Sequence, residues 1–140
     1  MTQGHARRDA LERVPLFAGL DRHDLEAVER ISVEQDVDDG ITLIDEGEPG
    51  RHFFVLLDGE MEVSREGDVV NRLGPGDFFG EISLLSDRPT TASVTAVEPA
   101  RVLVIAPADF RRLLEEVPLM QMKVIRALAD RLPDEFYWEG

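Results

Sequence analysis

Between positions 40 and 80 the chain places a glycine every few residues, at 40, 47, 50, 59, 67, 74, 76 and 80. No helix of ordinary length fits between such breaks, because an interior glycine costs about 1 kcal/mol relative to alanine. The runs between them are short and rich in Val, Ile, Leu and Phe: Ile41-Thr42-Leu43, His52 to Leu57, Met61-Glu62-Val63 and Val69 to Leu73. Ala92 to Val97 and Val102 to Ile105 continue the pattern. Each suits a strand. Asp39-Gly40, Asp58-Gly59 and Glu66-Gly67-Asp68 have the composition of hairpin turns, where glycine supplies positive φ. Roughly eight short strands at this spacing imply an antiparallel barrel, roll or sandwich.

Helical periodicity is confined to the two ends. Ala10 to Val14 reads as a short helix stopped by Pro15. A second begins at Asp21, a capping residue with Leu20 and Leu25 placed as a hydrophobic staple, and continues through Val28 and Ile31. After Pro107, Phe110, Leu113, Leu114 and Val117 share one face up to Pro118. A last helix carries Met122, Ile125, Leu128, Ala129 and Leu132 as a stripe, expected to be buried as core, with a homodimer seam as the alternative. The expected organisation is one domain over residues 1–140: helical segment 1–31, β unit 32–106, paired helices 107–132 and tail 133–140. The tail contains the only Tyr and the only Trp, in Phe136-Tyr137-Trp138, with no role assigned by the sequence.

Charge and composition narrow the function. Fifteen Lys and Arg face 29 Asp and Glu, for a net charge of −14. So acidic a domain is a poor partner for nucleic acid or for an anionic membrane, both of which are bound through cations. The first eight residues lack the apolar core of a secretory signal, and no apolar run is long enough to span a bilayer. With no cysteine, the chain reads as cytoplasmic and has no disulfide, thiolate nucleophile or cysteine–zinc site. His5, His23 and His52 have no ligand spacing and read as unrelated surface residues, so no metal or other cofactor is expected. No Gly-x-Ser-x-Gly elbow occurs. The expectation is a binding module and not an enzyme.

One segment is chemically suggestive: Gly74-Pro75-Gly76-Asp77-Phe78-Phe79-Gly80-Glu81-Ile82-Ser83-Leu84-Leu85-Ser86-Asp87-Arg88-Pro89-Thr90-Thr91-Ala92-Ser93-Val94. It reads as a turn, an aromatic pair, a glycine that permits close backbone approach, a short helical turn and a β-branched strand. Free N–H groups at the helix start offer an anion site, Glu81 an acceptor for hydroxyls, and Ser83, Thr90 and Thr91 hydroxyl donors. Two readings stay open on these grounds: a site for a phosphorylated sugar, or a tight corner whose carboxylate satisfies a helix dipole.

The same segment resembles the phosphate-binding cassette of the cyclic nucleotide-binding domain superfamily, which includes the catabolite activator protein and the regulatory subunits of cAMP-dependent kinase. Phe79-Gly80-Glu81-Ile82-Ser83-Leu84-Leu85 and Pro89-Thr90-Thr91-Ala92 match its order and spacing. Val14 to Leu20 resembles the family's N-terminal helical segment, Glu46 to Gly50 and Phe54 to Val63 its roll strands, and Pro107 to Leu132 its B and C helices. The resemblance implies a mainly β fold: an eight-stranded antiparallel β-roll of the double-stranded jelly-roll type, with N-terminal helices and C-terminal B and C helices. It also implies a cyclic nucleotide, such as cAMP, in the roll. Glu81 would hold the ribose 2′-hydroxyl. The N–H groups of Gly80, Ile82 and Ser83 would line the ribose–phosphate site, beside Ala92. Thr91 would offer a hydroxyl, and the helix around Ala127 to Leu132 would close over the base.

The departure is Thr90, which stands where the family carries the arginine that pairs with the phosphate. Arg88 lies two residues earlier and would be the substitute, although its position reads as a solvent-facing loop. A hydrogen bond to a charged group is worth about 1.5–3 kcal/mol, roughly ten- to a hundredfold in affinity. The expectation is therefore weak cAMP binding, raised by Thr90→Arg. Two functions compete: a regulatory ligand sensor signalling through its C-terminal helices to another polypeptide, and a degenerate module acting by protein contacts alone. A helix-turn-helix like that of transcriptional regulators is not expected within this length.

Overall fold

The computed structural model describes residues 3–5, 8–49, 52–80 and 90–131. In chain order the elements are β1 (Gln3–His5), α1 (Arg8–Glu12), a 3-10 turn (Pro15–Phe17), α2 (Arg22–Ile31), β2 (Ser32–Val37), β3 (Thr42–Ile44) and β4 (Phe53–Asp58). They continue as β5 (Met61–Arg65), β6 (Asp68–Leu73), β7 (Phe78–Phe79), β8 (Ser93–Ala96), β9 (Ala100–Ile105), α3 (Pro107–Glu116) and α4 (Pro118–Arg131). The first sheet has the order β1-β2-β9-β4-β7 and the second β3-β8-β5-β6. All pairings are antiparallel. Strands β2 to β9 form the expected eight-stranded roll. The short β1, which no apolar pattern announces, adds an edge by pairing Gln3 with Gln35 and His5 with Val33.

Local signals set the helix ends. The Asp21 carboxylate accepts the Asp24 N–H at 2.8 Å, and Leu20 and Leu25 are both buried. At the other end of α2 the Ser32 hydroxyl donates to the Val28 carbonyl at 2.7 Å, joining helix to strand in the core. Among the described residues, no helix is long and apolar enough to cross a membrane.

Two sequence expectations need correction. Only Glu66-Gly67 joins paired strands, β5 and β6, with φ of 52° and 87°. Asp39-Gly40 and Asp58-Gly59 instead carry the chain from one sheet to the other, because β2 and β4 belong to the first sheet and β3 and β5 to the second. At Gly59 a Cβ would stand 2.8 Å from the backbone of Ala100, so the crossing admits only glycine. The second correction concerns α4. Met122 and Ile125 are 50% and 59% exposed, and Ala129 is exposed too. The buried positions are Met120 and Val124. Val117 enters the core just before Pro118 restarts the helix, and positions three and seven further on then face inward. Lys123 fixes that phase by donating to the Pro15 carbonyl at 2.7 Å. The side chain of Leu128 and all of Leu132 lie outside the described residues.

The first sheet separates two apolar clusters. On its outer face Phe53, Val55, Phe78, Leu103 and Ile105 meet α2, α3, α4 and the 3-10 turn. On its inner face Phe54, Leu56, Phe79 and Val102 meet Met61, Leu73, Val94 and Ala96 of the second sheet. Strand alternation splits neighbours between them. Phe53 stacks on Phe110 at 4.1 Å, and Phe54 on Phe79 at 5.0 Å.

Candidate functional site

The site begins where β7 ends. Phe79 pairs with Phe54 across the sheet, which holds Gly80 against the start of β4. Gly80 has φ of +96°, and a Cβ there would stand 2.5 Å from the His52 carbonyl oxygen. Both its conformation and its contact therefore demand glycine.

Thr90 stands where the described chain resumes after the cassette. Thr90 is buried. Its N–H donates to the Glu48 carbonyl at 2.9 Å, and its own carbonyl accepts the Gly47 N–H at 2.8 Å. Its hydroxyl lies within hydrogen-bond distance of the Asp45 and Glu48 carbonyls, 3.0 Å from the latter. The donor expected to face a ligand is thus committed to clamping the 45–49 turn. That turn is secured again by the Glu46 N–H, which donates to the Ser93 hydroxyl at 3.0 Å, and by the Glu46 carboxylate, which accepts the Glu66 N–H at 2.9 Å. Thr91 is exposed, and its carbonyl accepts the Arg65 guanidinium N–H at 3.1 Å. Ala92 is half-buried between them. Glu81, Ile82, Ser83 and Arg88 lie outside the described residues, as does Phe136-Tyr137-Trp138.

Thr90, Asp45, Glu48, His52, Phe54 and Leu43 help to line a cavity of about 380 Å³, together with Ile44 and Pro49. That volume lies within the range of small-molecule pockets, about 300–1,000 Å³. Its described walls hold two carboxylates and no Lys or Arg. The sequence pattern did not single out Asp45, Glu48 or Phe54 as a cavity wall; Glu48 and Phe54 lay in the Glu46 to Gly50 and Phe54 to Val63 segments, read as resembling roll strands. His52, read as an unrelated surface residue, stands at the cavity with its ring 6.1 Å from that of Phe54. Among the described residues no group of His, Asp and Glu could hold a metal ion.

A larger groove, about 900 Å³, lies on the outer face of the first sheet between α1 and the turns at Gly76 and Pro99. Its central charges neutralise one another, since Arg101 pairs with Asp36 at 2.9 Å and with Glu34 at 3.6 Å. The smaller cavity, beside the Gly80 corner and Thr90, is the better candidate.

Comparison with known proteins brings further findings. Residues 34–117 match the family model described as cyclic nucleotide-binding domain. The chain is 36% identical over 119 residues to a cAMP-dependent protein kinase regulatory subunit of Yarrowia lipolytica, covering 81% of this chain and 32% of that protein. It thus spans about a third of that relative's length. Among solved structures, cAMP-bound PfPKA-R (141-441) superposes with a TM-score of 0.79 at 29% identity, covering 88% of this chain and 43% of that one. The Thermus thermophilus catabolite activator protein superposes with a TM-score of 0.74 at 27% identity, covering 84% and 57%.

Proposed function

The chain belongs to the cyclic nucleotide-binding domain family, and on that premise we propose that it is a regulatory module, not an enzyme, that takes a cyclic nucleotide or related phosphorylated ligand in its roll. The observation that carries this reading is the extent of the family match, which includes the Gly80 corner and the residues lining the cavity. Glu81 is assigned to the ribose 2′-hydroxyl. The N–H groups of Gly80, Ile82 and Ser83 are assigned to the ribose–phosphate, and Thr91 to the phosphate or base. Ligand binding then biases the arrangement of α3 and α4, and a ligand shifts such an equilibrium only by binding one arrangement better.

A second reading has its own support: a roll that no longer holds a cyclic phosphate and acts through protein contacts. Thr90 is engaged with main-chain carbonyls, and the described cavity wall offers carboxylates where an anion needs a cation. Calorimetric titration with cAMP and cGMP separates the two. The unmodified chain should bind cAMP more weakly than micromolar, and Thr90→Arg should tighten binding roughly ten- to a hundredfold. A submicromolar constant for the unmodified chain removes the argument from Thr90. A folded Thr90→Arg variant that still ignores both nucleotides assigns the second reading.

A further inference from the structure

The solvent face of α4 carries an apolar stripe. Leu119, Met122 and Ile125 are 40%, 50% and 59% exposed, and Arg126 and Ala129 are exposed alongside them. At 100° per residue, Met122, Ile125 and Ala129 point directly away from the buried pair Met120 and Val124. The charge pattern is equally distinctive. Between Glu116 and Asp130 the chain has no carboxylate for 13 residues, its longest such stretch, although 29 of its 140 residues are Asp or Glu. The same stretch contains Lys123 and Arg126. Lys123 is held by the Pro15 carbonyl. Arg126 is therefore the cation left to border the apolar stripe.

The segment that follows has the complementary chemistry. Pro133 to Gly140 contains three aromatics in a row, Phe136-Tyr137-Trp138, and three carboxylates, Asp134, Glu135 and Glu139. Pro133 lacks the N–H that a regular helix would use, which disfavours continuing the helix. Ile125 and Met122 lie six and nine residues before Arg131, about 9 and 14 Å back along the axis at 1.5 Å per residue. Seven extended residues from Leu132 to Trp138 reach about 23 Å, enough for a reversal and the return.

We propose that the exposed α4 face formed by Met122, Ile125 and Arg126 is the docking site of the acidic aromatic segment Asp134 to Glu139 of the same chain. The aromatic rings cover the apolar stripe, and the flanking carboxylates meet Arg126. A second copy fits the face less well, because the same stretch of its α4 has no carboxylate to meet Arg126.

Trp138, the chain's only tryptophan, reports on this directly. Tryptophan emission is compared between the full chain and a free peptide of residues 133–140. The full chain should emit to the blue of the peptide, independently of protein concentration. Ile125→Asp and Met122→Asp, at exposed positions and checked for fold by circular dichroism, should each move the emission to the peptide's value. Arg126→Glu should move it part of the way. Val70→Asp, on the exposed side of β6, should leave it in place. The proposal is overturned by an emission in the full chain equal to that of the peptide. It is overturned equally by an emission that neither α4 substitution changes, which would put the tail elsewhere. A blue shift that grows with concentration while the light-scattering mass doubles overturns it in favour of a second copy.

Discussion

Phe53 and Phe54 are consecutive, both buried and both stacked on another phenylalanine, yet they belong to different interiors. Phe53 joins the cluster that attaches the helices, where Phe110, Met120 and Val28 are fully enclosed. Phe54 joins the cluster between the sheets and also lines the cavity. The helix-side interior is closed apolar packing. The roll-side interior gives up part of its volume to a site and is tied there by polar contacts at Thr90 and Glu46. The first sheet thus separates the part of the molecule that holds the helices from the part that lines the cavity.

The largest effect that tests this division belongs to Phe110→Ala. Its ring is fully buried against Phe53, so truncation should cost about 3–5 kcal/mol in denaturant unfolding. The amide resonances of Thr90 and Gly47 should hardly move. Shifts at those amides as large as those of any roll-side substitution would mean that the two interiors are not separate.

Gly80→Ala should cost less, about 1–3 kcal/mol for a strained φ, but it should act on the other side. The added Cβ pushes on the His52 carbonyl, so the His52, Thr90 and Gly47 signals should shift while Phe110 and Val124 stay in place. A mutant with unperturbed His52 and Thr90 signals would show that the corner does not shape the cavity.

The smallest expected effect is a pH dependence outside both interiors. The Arg101 guanidinium, through its hydrogen bond, holds the Asp36 carboxyl below its ordinary value. A carboxyl lowered on folding contributes stability that is present above its ordinary pKa and fades as pH falls through the lowered one. Arg101→Gln should therefore raise the Asp36 midpoint in a carboxyl-resolved titration, and an unchanged midpoint would discount the pair.

Local chemistry made much of this legible. The glycine spacing announced a compact antiparallel β unit, Asp21 announced the start of α2, and the family resemblance of Phe79-Gly80 and Pro89-Thr90-Thr91-Ala92 pointed to the roll and its corner. Other features were invisible at that range. Ser32–Val37 carries Glu34, Gln35 and Asp36, and it is a strand because β9 pairs with it over six residues, Ser32 opposite Ile105. The α4 stripe looked buried because Met122 and Ile125 are apolar, but contact with α3 and the 3-10 turn set the helix's rotation.

What the sequence by itself determined is where the chain turns, where helices begin, and which family pattern it carries. Those depend on a residue's own torsions and on neighbours a few positions away. Only the tertiary structure decided which sheet each strand enters, which face of α4 meets solvent, and that the Thr90 hydroxyl serves the Asp45 and Glu48 carbonyls. Those outcomes depend on partners 42 to 108 positions distant, chosen by the burial of apolar surface and the pairing of main-chain polar groups that no local window contains.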